Sequence, residues 1–360
     1  KHIDKTLTDS IVHANIGPKE TKAGRLILKV MRELELAVPN LTVKYDEDIT
    51  SDEFAVDCVK TSLVTAKPSF ANDKMYAADF KSGYGIASCY NGLMIGGGGF
   101  TLTRINLNHL ADFATNSKDF LENVIPEAVR EMAGYINDRI EFIANSAFFN
   151  SNFLVKEKFV DINKFSGMLG IIGVAECVNK LLDLKEQSER FGYSEVANNY
   201  AKLVLDKINE ELKKYPSKYT TAFDGISVMH AQVGIETDIG TSPGARIPVG
   251  EEPEIYDHIL MSAPFHEHFV SGIGDIFVFD QTYLNNPEAI LKIIKGAFKN
   301  NLRYISTYSQ MCDVVRVTGY LVKRSELEKL DNKKAVLNGA TILGQGARDY
   351  GKALDRKRRM

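Results

Sequence analysis

The chain has 360 residues, of which 44% are apolar and 25% charged, and its formal net charge is −3 at neutral pH. So small a charge gives no bulk electrostatic reason to bind nucleic acid or an anionic membrane, and no apolar run is long enough to span a bilayer. The length exceeds the usual limit of a single core, although α/β barrels of this size occur as one domain.

The first half of the chain predicts mainly helices, with short strands between them. A helix over 21–36 has one apolar face and ends before Pro39, and residues 118–145 are helical, opened or interrupted by Pro126. The apolar stretch 168–178 is typical of a buried helix. The remaining predictions are a strand over 41–45, a helix from Ser51, a strand over 100–107, and helices over 163–184 and 195–215. The apolar face of the first helix consists of Leu26, Ile27, Val30, Met31 and Leu34.

The second half continues the alternation. A strand begins over 225–229 and leads into a long polar loop over 234–254. A helix over 287–300 has Pro287 at its start, where the missing N–H is tolerated. Ser325 and Glu328 form a capping box for a final short helix. Strands separated by helices predict an α/β fold, but periodicity alone does not distinguish a barrel from a doubly wound sheet.

The pentapeptide 316–320, Arg-Val-Thr-Gly-Tyr, interrupts a predicted buried strand with Gly319. Glycine inside a strand costs stability, so one interpretation is a β-bulge or a bend. The other is that the missing side chain matters, since a Cα with two hydrogens can lose one and become a backbone radical stabilised by the flanking amides. This pentapeptide resembles the signature of glycyl radical enzymes.

A stored radical needs a group that passes it to the substrate, and a cysteine thiol exchanges a hydrogen atom reversibly. Cys58 and Cys177 lie in apolar, helix-like stretches and are most simply core residues, while Cys312 belongs to the approach to the glycine strand. Cys89 lies in the glycine-rich segment 83–99, where backbone or a ligand can approach closely. The alternatives are a surface loop with an incidental cysteine, or a phosphate-binding loop, whose usual motifs this segment does not fit.

Several ordered motifs extend the resemblance from about residue 80 to the end, except for a helical gap over about 150–220. The Cys89 loop, the stretches 263–268 and 272–280, and residues 286–290 are similar to the anaerobic (class III) ribonucleotide reductases. The segments 234–246 and 343–349 resemble the YjjI family of glycyl radical enzymes still more closely.

The resemblance implies a ten-stranded barrel of two five-stranded halves with surrounding helices. It implies a barrel part over 1–300 with the active-site Cys89 loop, and a C-terminal glycyl radical segment over 301–360. It also implies that Gly319 carries the radical and that Cys89 becomes the thiyl. No cofactor would be bound permanently, because an activase with an Fe–S cluster and S-adenosylmethionine would install the radical. The chain starts at Lys1, not at Met, and its first residues are typical of the interior of a protein sequence, so an N-terminal portion is expected to be missing.

Departures from the relatives limit the reaction. The chain has no C-x-x-C pair, so the four-cysteine zinc module of the anaerobic reductases is absent from the sequence. The Cys89 loop also lacks the adjacent cysteine pair of formate acetyltransferase. Ribonucleotide reduction is therefore the alternative function, and radical chemistry on an unidentified small organic substrate the preferred one. A third alternative, a subunit that repairs an oxygen-cleaved partner, is opposed by the chain's own Cys89 loop.

Other polar residues are weaker candidates. Asn106, Glu236 and Arg246 are candidate substrate ligands, and Arg316 is a candidate for orienting the glycine loop. His266 and His268 alternate on a strand-like stretch, but without a third ligand nearby they are interpreted as structural, and no metal site is predicted. The basic residues Arg348, Arg356, Lys357, Arg358 and Arg359 are typical of a solvated tail that could also bind the activase.

The sequence also gives an expected cellular location and expected partners. Four cysteines without a pattern and the lack of a signal peptide predict a reducing cytoplasm. The expected partners are a radical S-adenosylmethionine activase and a small-molecule substrate, with a homodimer left open. Neither nucleic acid nor a membrane is expected as a partner.

Overall fold

The computed structural model describes residues 2–9, 11–81, 83–233, 238–317 and 320–359. Within these residues, no helix is both long and apolar enough to cross a bilayer. The strands are β1 (His13–Ile16), β2 (Asn40–Tyr45), β3 (Ser69–Asn72), β4 (Tyr84–Ala87), β5 (Asn91–Met94), β6 (Gly98–Asn106), β7 (Phe165–Ile172), β8 (Val228–Ala231), β9 (Asp275–Phe279), β10 (Tyr304–Ser309), β11 (Val314–Val317), β12 (Tyr320–Lys323) and β13 (Arg358–Arg359).

Helices connect most of these strands, and many of them begin at a polar capping residue. They are α1 (His2–Thr6), α2 (Lys22–Leu34), α3 (Asp52–Thr65), α4 (Asp73–Asp79), α5 (Leu107–Leu110), α6 (Ser117–Asp119), α7 (Ile125–Ala144), α8 (Ala147–Ser151), α9 (Phe153–Lys156), α10 (Val174–Leu181), α11 (Glu195–Leu212), α12 (Ile255–His266), α13 (Pro287–Lys299), α14 (Arg324–Asp331) and α15 (Gly339–Gly351).

The strands form two main sheets and two hairpins. A six-stranded sheet has the order β1-β2-β3-β10-β9-β13, and all its pairs are parallel except β3 with β10. A parallel three-stranded sheet has the order β6-β7-β8. The hairpins β4–β5 and β11–β12 are antiparallel. One apolar core joins α2, α3 and α13 to the six-stranded sheet, and a larger one joins α7, α10 and α11 to the three-stranded sheet.

The fold class is the predicted α/β type. A closed ten-stranded barrel is not seen among the described residues, where the two sheets are separate. An isolated parallel bridge between His230 and Gly272 extends the three-stranded sheet beyond β8. The six-stranded sheet combines strands from the first 72 and the last 90 or so residues, so both ends of the chain belong to one layer.

Several predicted elements are confirmed. The strand over 41–45 is part of β2, the helix after Ser51 is α3, and the strand after the Cys89 loop is β6. The side chain of Ser51 caps α3 by accepting a hydrogen bond from the amide of Phe54. Pro287 begins α13 as predicted.

The predicted helix over 163–184 is wrong in its first half. Residues 165–172 form β7, the central strand of the parallel sheet, and the helix α10 starts only at Val174. All of β7 except Phe165 is buried. A strand buried on both faces reads as a continuous apolar run, which periodicity cannot separate from a buried helix.

Three smaller predictions are also wrong. In α2 the apolar face is rotated, since Leu26 is 60% exposed while Leu28 is buried. The predicted capping box does not form: α14 begins at Arg324, and the Ser325 amide and hydroxyl donate to Asp313. The stretch 263–266 ends α12 and is not a strand.

The basic tail is not a solvated tail. Arg358 and Arg359 form β13, which pairs with β9 at the edge of the six-stranded sheet. Arg356 and Arg359 are buried, and Arg348 pairs with Asp331. The charges at the end of the chain are therefore largely engaged with the body of the protein.

Candidate active site

Cys89 lies at the tip of the β4–β5 hairpin. Ala87 pairs with Asn91, so Ser88, Cys89 and Tyr90 form the connection between the two strands. Ser88 adopts a left-handed backbone conformation with φ of 53°. The Cys89 side chain is half-buried and packs against the larger apolar core. The tip of the hairpin is therefore half-buried, whereas Ile95, later in the same glycine-rich segment, is 60% exposed.

Buried polar side chains from β2 and the segment before β3 hold this tip. The Asn40 side-chain amide donates to the Ser88 carbonyl and, at 3.3 Å, to a carboxylate oxygen of Asp9. The ammonium of Lys67 donates to the Asn40 side-chain carbonyl and, at 3.3 Å, to the Ser69 hydroxyl. Because Lys67 is fully buried, these contacts replace water around its amine.

The carbonyl and hydroxyl of Tyr90 connect the tip to α4 and to the three-stranded sheet. Tyr76 donates its hydroxyl to the Tyr90 carbonyl at 2.7 Å, and Tyr90 donates to the Ala231 carbonyl of β8 at 2.6 Å. Burial raises the pKa of Tyr90 to about 12. A Cβ on Gly272 would lie 2.1 Å from the Tyr90 carbonyl oxygen, so only glycine permits this approach. The position of Cys89 is therefore fixed on both sides.

Removing the Asn40 amide should loosen the tip. We expect Asn40→Ala to lower the free energy of unfolding by about 1–3 kcal/mol, because the Ser88 carbonyl and the buried Lys67 amine each lose a partner. Thermal unfolding measures this loss, and the rate of Cys89 alkylation, followed by mass spectrometry, should rise. Asn332→Ala is the matched control, since its exposed amide bonds only the Glu328 carbonyl. An Asn40 variant that unfolds and reacts like the parent would contradict the assignment.

The β11–β12 hairpin carries the predicted radical signature. Val317 pairs with Tyr320, and Thr318 and Gly319, which separate them in sequence, lie outside the described residues. Val314, Val315 and Val317 are fully buried. Arg316 is 1% exposed, and none of its three guanidinium nitrogens has a hydrogen-bond partner among the described residues.

Arg316 and Cys89 border the same buried polar groups. Burial lowers the pKa of Lys67 well below its ordinary value; the charge of Arg316 lowers it further, while Asp9 and Cys89 oppose this. Burial likewise raises the pKa of Tyr304, with Arg316 and Cys89 acting in opposite directions. We call this set the central cluster: Asp9, Asn40, Lys67, Tyr90, Tyr304 and Arg316. The charge of Arg316, on the strand that leads to Gly319, therefore acts on buried groups around the hairpin that carries Cys89.

The other predicted site residues are Arg246, Asn106 and Glu236, and the first two make different contacts. Arg246 lies with its guanidinium carbon 5.3 Å from the centre of the Tyr90 ring and donates to the Gly274 carbonyl. Asn106 donates to Asp238 at 3.0 Å and accepts from the His109 amide, so it is engaged within the protein. Glu236 lies outside the described residues.

A cavity of about 850 Å³ adjoins this region. Its wall combines the loop 238–252, the first residues of β9, α10 and one face of α15. Arg246 belongs to the wall and contacts the Tyr90 ring, which links the cavity to the residue that follows Cys89. The volume is sufficient for a small organic substrate.

The histidines near the cavity form structural pairs. His258 and His266 approach the two carboxylate oxygens of Asp275 at 3.3 and 3.1 Å, and His268 approaches Asp206 at 2.8 Å. Although burial raises the pKa of Asp275, the hydrogen bonds from both histidines hold it below its ordinary value. Among the described residues, no group of three or more histidine, cysteine or acidic side chains is arranged to hold a metal ion.

Comparison with known proteins decides the family. The family profile described as "Glycyl radical enzyme YjjI-like" matches residues 1–359. The chain belongs to the YjjI-like glycyl radical enzyme family. A Haemophilus influenzae protein is 43% identical over 362 residues, which cover 99% of this chain and 70% of that protein. The YjjI protein of Escherichia coli K12 is 38% identical and is also covered to 70%. The resemblance identified from the sequence is confirmed.

Solved structures of other glycyl radical enzymes share the fold of this YjjI-like chain. The B12-independent glycerol dehydratase of Clostridium butyricum superposes with a TM-score of 0.74 at 13% identity, over 97% of this chain and 57% of that one. An anaerobic ribonucleotide reductase superposes with a TM-score of 0.68 at 16% identity, over 86% and 55%. The hydroxyproline dehydratase of Clostridioides difficile gives 0.71 at 12% identity, over 100% and 58%. The chain thus spans less than two thirds of each of these structures.

The sequence motifs point to the segments that contain Cys89 and Gly319 but not to the residues that support them in this YjjI-like chain. Asp9, Asn40 and Lys67 lie far apart in the chain and in no motif. Tyr90 lies in the glycine-rich segment, but no motif marks it as a supporting residue. Arg356 was assigned to a solvated tail, and only the pairing of β13 with β9 shows why it is buried.

Proposed function

We propose that this chain stores a radical on the Cα of Gly319 and uses Cys89 to pass it to a small organic substrate in the adjoining cavity. The observation that carries the proposal is the convergence of the Cys89 hairpin and the Arg316 strand on the central cluster. Cys89 and Gly319 are 230 positions apart in sequence, yet the strand next to Gly319 reaches the groups that surround the thiol.

Each step is a hydrogen-atom transfer. The glycyl radical takes the hydrogen atom of the Cys89 thiol, which restores the glycine Cα–H bond and leaves a thiyl. The thiyl then takes a hydrogen atom from a substrate C–H bond, which restores the thiol and leaves a carbon radical. Such transfers need near-contact geometry, and the hydrogen bonds of Asn40 and Tyr76 to the Cys89 tip supply that positioning.

Arg316 orients the glycine hairpin in this proposal. Its guanidinium is buried beside Asp9, whose pKa is raised by burial and lowered by the Arg316 charge. Arg246 and Glu236 would face the substrate from the loop 234–254, and Asn106 would support that loop through Asp238. The resident group is the glycyl radical itself, with no permanently bound cofactor.

Installation of the radical requires a partner. We propose a radical S-adenosylmethionine activase that removes the hydrogen atom from Gly319 when the C-terminal segment swings outward. Because β10 lies between β3 and β9 in the six-stranded sheet, the part that moves would begin after Ser309. We keep the proposed division into a barrel part over 1–300 and a C-terminal radical segment over 301–360, and we place the hinge within that segment, near Gln310.

The finer architecture and setting are proposals too. The six-stranded and three-stranded sheets would belong to the two halves of the ten-stranded barrel, and the closed barrel would surround the cavity. A homodimer and a cytoplasmic location would suit an oxygen-sensitive enzyme that must meet its activase. An anaerobic ribonucleotide reductase-like activity on a nucleotide or nucleoside is the alternative, and the shared fold with those reductases is its support.

The decisive experiment is anaerobic co-expression with an activase, followed by electron spin resonance. We expect an organic radical doublet that collapses to a singlet when the α-hydrogen of glycine is replaced by deuterium. Loss of the doublet on oxygen exposure should accompany cleavage at residue 319. A panel of polyols, hydroxy acids and nucleotides then separates the two functions, and tight binding of nucleoside triphosphates would favour the reductase-like alternative. If an activase produces no organic radical, the proposal is wrong.

A further inference from the structure

Two buried arginines of the cavity wall lack a carboxylate partner. Arg246 and Arg356 are each 8% exposed and both line the cavity. Within the described residues, Arg246 donates to the Gly274 carbonyl, and Arg356 donates to the carbonyls of Ala353 and Arg316 and also hydrogen-bonds to the Tyr308 side chain. The Arg246 Nη1 atom is buried without a hydrogen-bond partner among those residues. Neither guanidinium therefore forms an ion pair with a carboxylate of the described residues.

Most of the acidic residues of the cavity wall are engaged elsewhere. Asp238 pairs with Arg104 at 2.6 Å, and Glu251 pairs with Arg190 at 3.2 Å. Asp275 is held by two histidines. Glu252 accepts the amides of Gly250 and Lys357, at 2.8 and 3.3 Å. Within the described part of the wall, no acid is within ion-pair distance of Arg246 or Arg356.

The positive charges of the two guanidinium groups of the cavity wall oppose each other. Burial lowers the pKa of Arg356 and the charge of Arg246 lowers it further, while Tyr308 and the charge of Glu252 oppose this. Holding two like charges in a buried wall is unfavourable unless a counter-charge completes the site. A planar guanidinium is suited to carboxylate or phosphate because its donors match two oxygens at once.

We propose that the cavity binds the carboxylate or phosphate group of a small anionic substrate between Arg246 and Arg356. This inference rests on the proposed function and specifies the substrate class of the same site. Arg246 lies over the Tyr90 ring, so an anion bound there directs the rest of the molecule toward Cys89. The anion would also join the loop 238–252 to the C-terminal segment that carries Arg356.

Calorimetric titration of the protein before activation tests the site. The probes are two matched pairs: lactate against propane-1,2-diol for a carboxylate, and glycerol 3-phosphate against glycerol for a phosphate. We expect at least one anion to bind more tightly than its neutral counterpart, and the responding pair identifies the anionic group. Equal binding within both pairs, or no binding of either anion, would overturn the inference.

Variants locate the binding. Arg246→Gln and Arg356→Gln should each lower the binding affinity for the anion by about 10- to 100-fold, because each removes a charge-assisted contact. Arg246→Lys and Arg356→Lys should recover part of the affinity, and circular dichroism establishes that each variant is folded. Arg348→Gln is the control, since this arginine of the same segment is already paired with Asp331 and Asp349. Unchanged affinity in both glutamine variants would place the anion elsewhere.

The two proposals can fail separately. Anion binding is measured without a radical, and the radical is measured without an added anion. A chain that forms the Gly319 doublet but binds no anion would retain the radical function and lose only this substrate class.

Discussion

Gly319→Ala is expected to abolish the organic radical completely. A planar backbone radical delocalises between the flanking amide nitrogen and carbonyl, and a methyl group on the Cα crowds the neighbouring carbonyl oxygen and opposes that planarity. Spin resonance after anaerobic activation should therefore show no doublet. Turnover should be lost with it, since no other residue is proposed to store the spin.

A glycine control separates chemistry from folding. Gly134 in α7 and Gly296 in α13 have open space where a Cβ would stand, so Gly134→Ala and Gly296→Ala should keep the full signal. Both should also keep the thermal stability of the parent, because alanine favours helix more than glycine does. An organic doublet in Gly319→Ala would show that the radical resides elsewhere.

Cys89→Ser is expected to separate the radical from turnover. The hydroxyl O–H bond is too strong to exchange a hydrogen atom with a glycyl radical, so the doublet should form at normal intensity and persist. Turnover should fall by more than about 1,000-fold, as expected when a covalent or radical-bearing group is removed. The comparison needs both measurements on one preparation, because only the combination of signal without activity assigns Cys89 to the transfer step.

Cys312→Ser is the matched control for the thiol. Cys312 lies between β10 and β11, and its Sγ atom contacts the carbonyls of Ser309 and Val314 at 3.0 and 2.8 Å. A serine hydroxyl can make the same contacts, so activity should be retained. Activity that survives in Cys89→Ser but is lost in Cys312→Ser would transfer the proposed role to the second thiol.

The parts of the site that the sequence predicts are those whose function depends on a local pattern. A glycine inside an apolar strand and a cysteine among glycines are both visible in a few residues, and the described strands on either side of each pair as an antiparallel hairpin. The family assignment followed because several such patterns occur in order. Local capping at Ser51 and Pro287 was predictable for the same reason.

The positions of the supporting residues depend on strand order and register, which local sequence patterns do not reveal. Because β2 pairs with β3, Asn40 at the start of β2 lies close to Lys67, which precedes β3, and accepts its hydrogen bond. The same Asn40 side chain donates to the Ser88 carbonyl. Arg356 is buried because β13 adds to β9 at the far edge of the same sheet. The strand β7 was mistaken for a helix because burial on both faces removes the alternation that identifies a strand.

The pairing of β13 with β9 has a consequence for the order in which the enzyme would open. Both ends of the stretch between Ser309 and Arg358 are attached to the same strand, since β10 and β13 flank β9 on opposite sides. An outward excursion must therefore be a bulging of a tethered loop, or must begin with release of the weaker tether. The weaker tether is β13, which is only two residues long. Separation of β13 from β9 would therefore come before the exposure of Gly319.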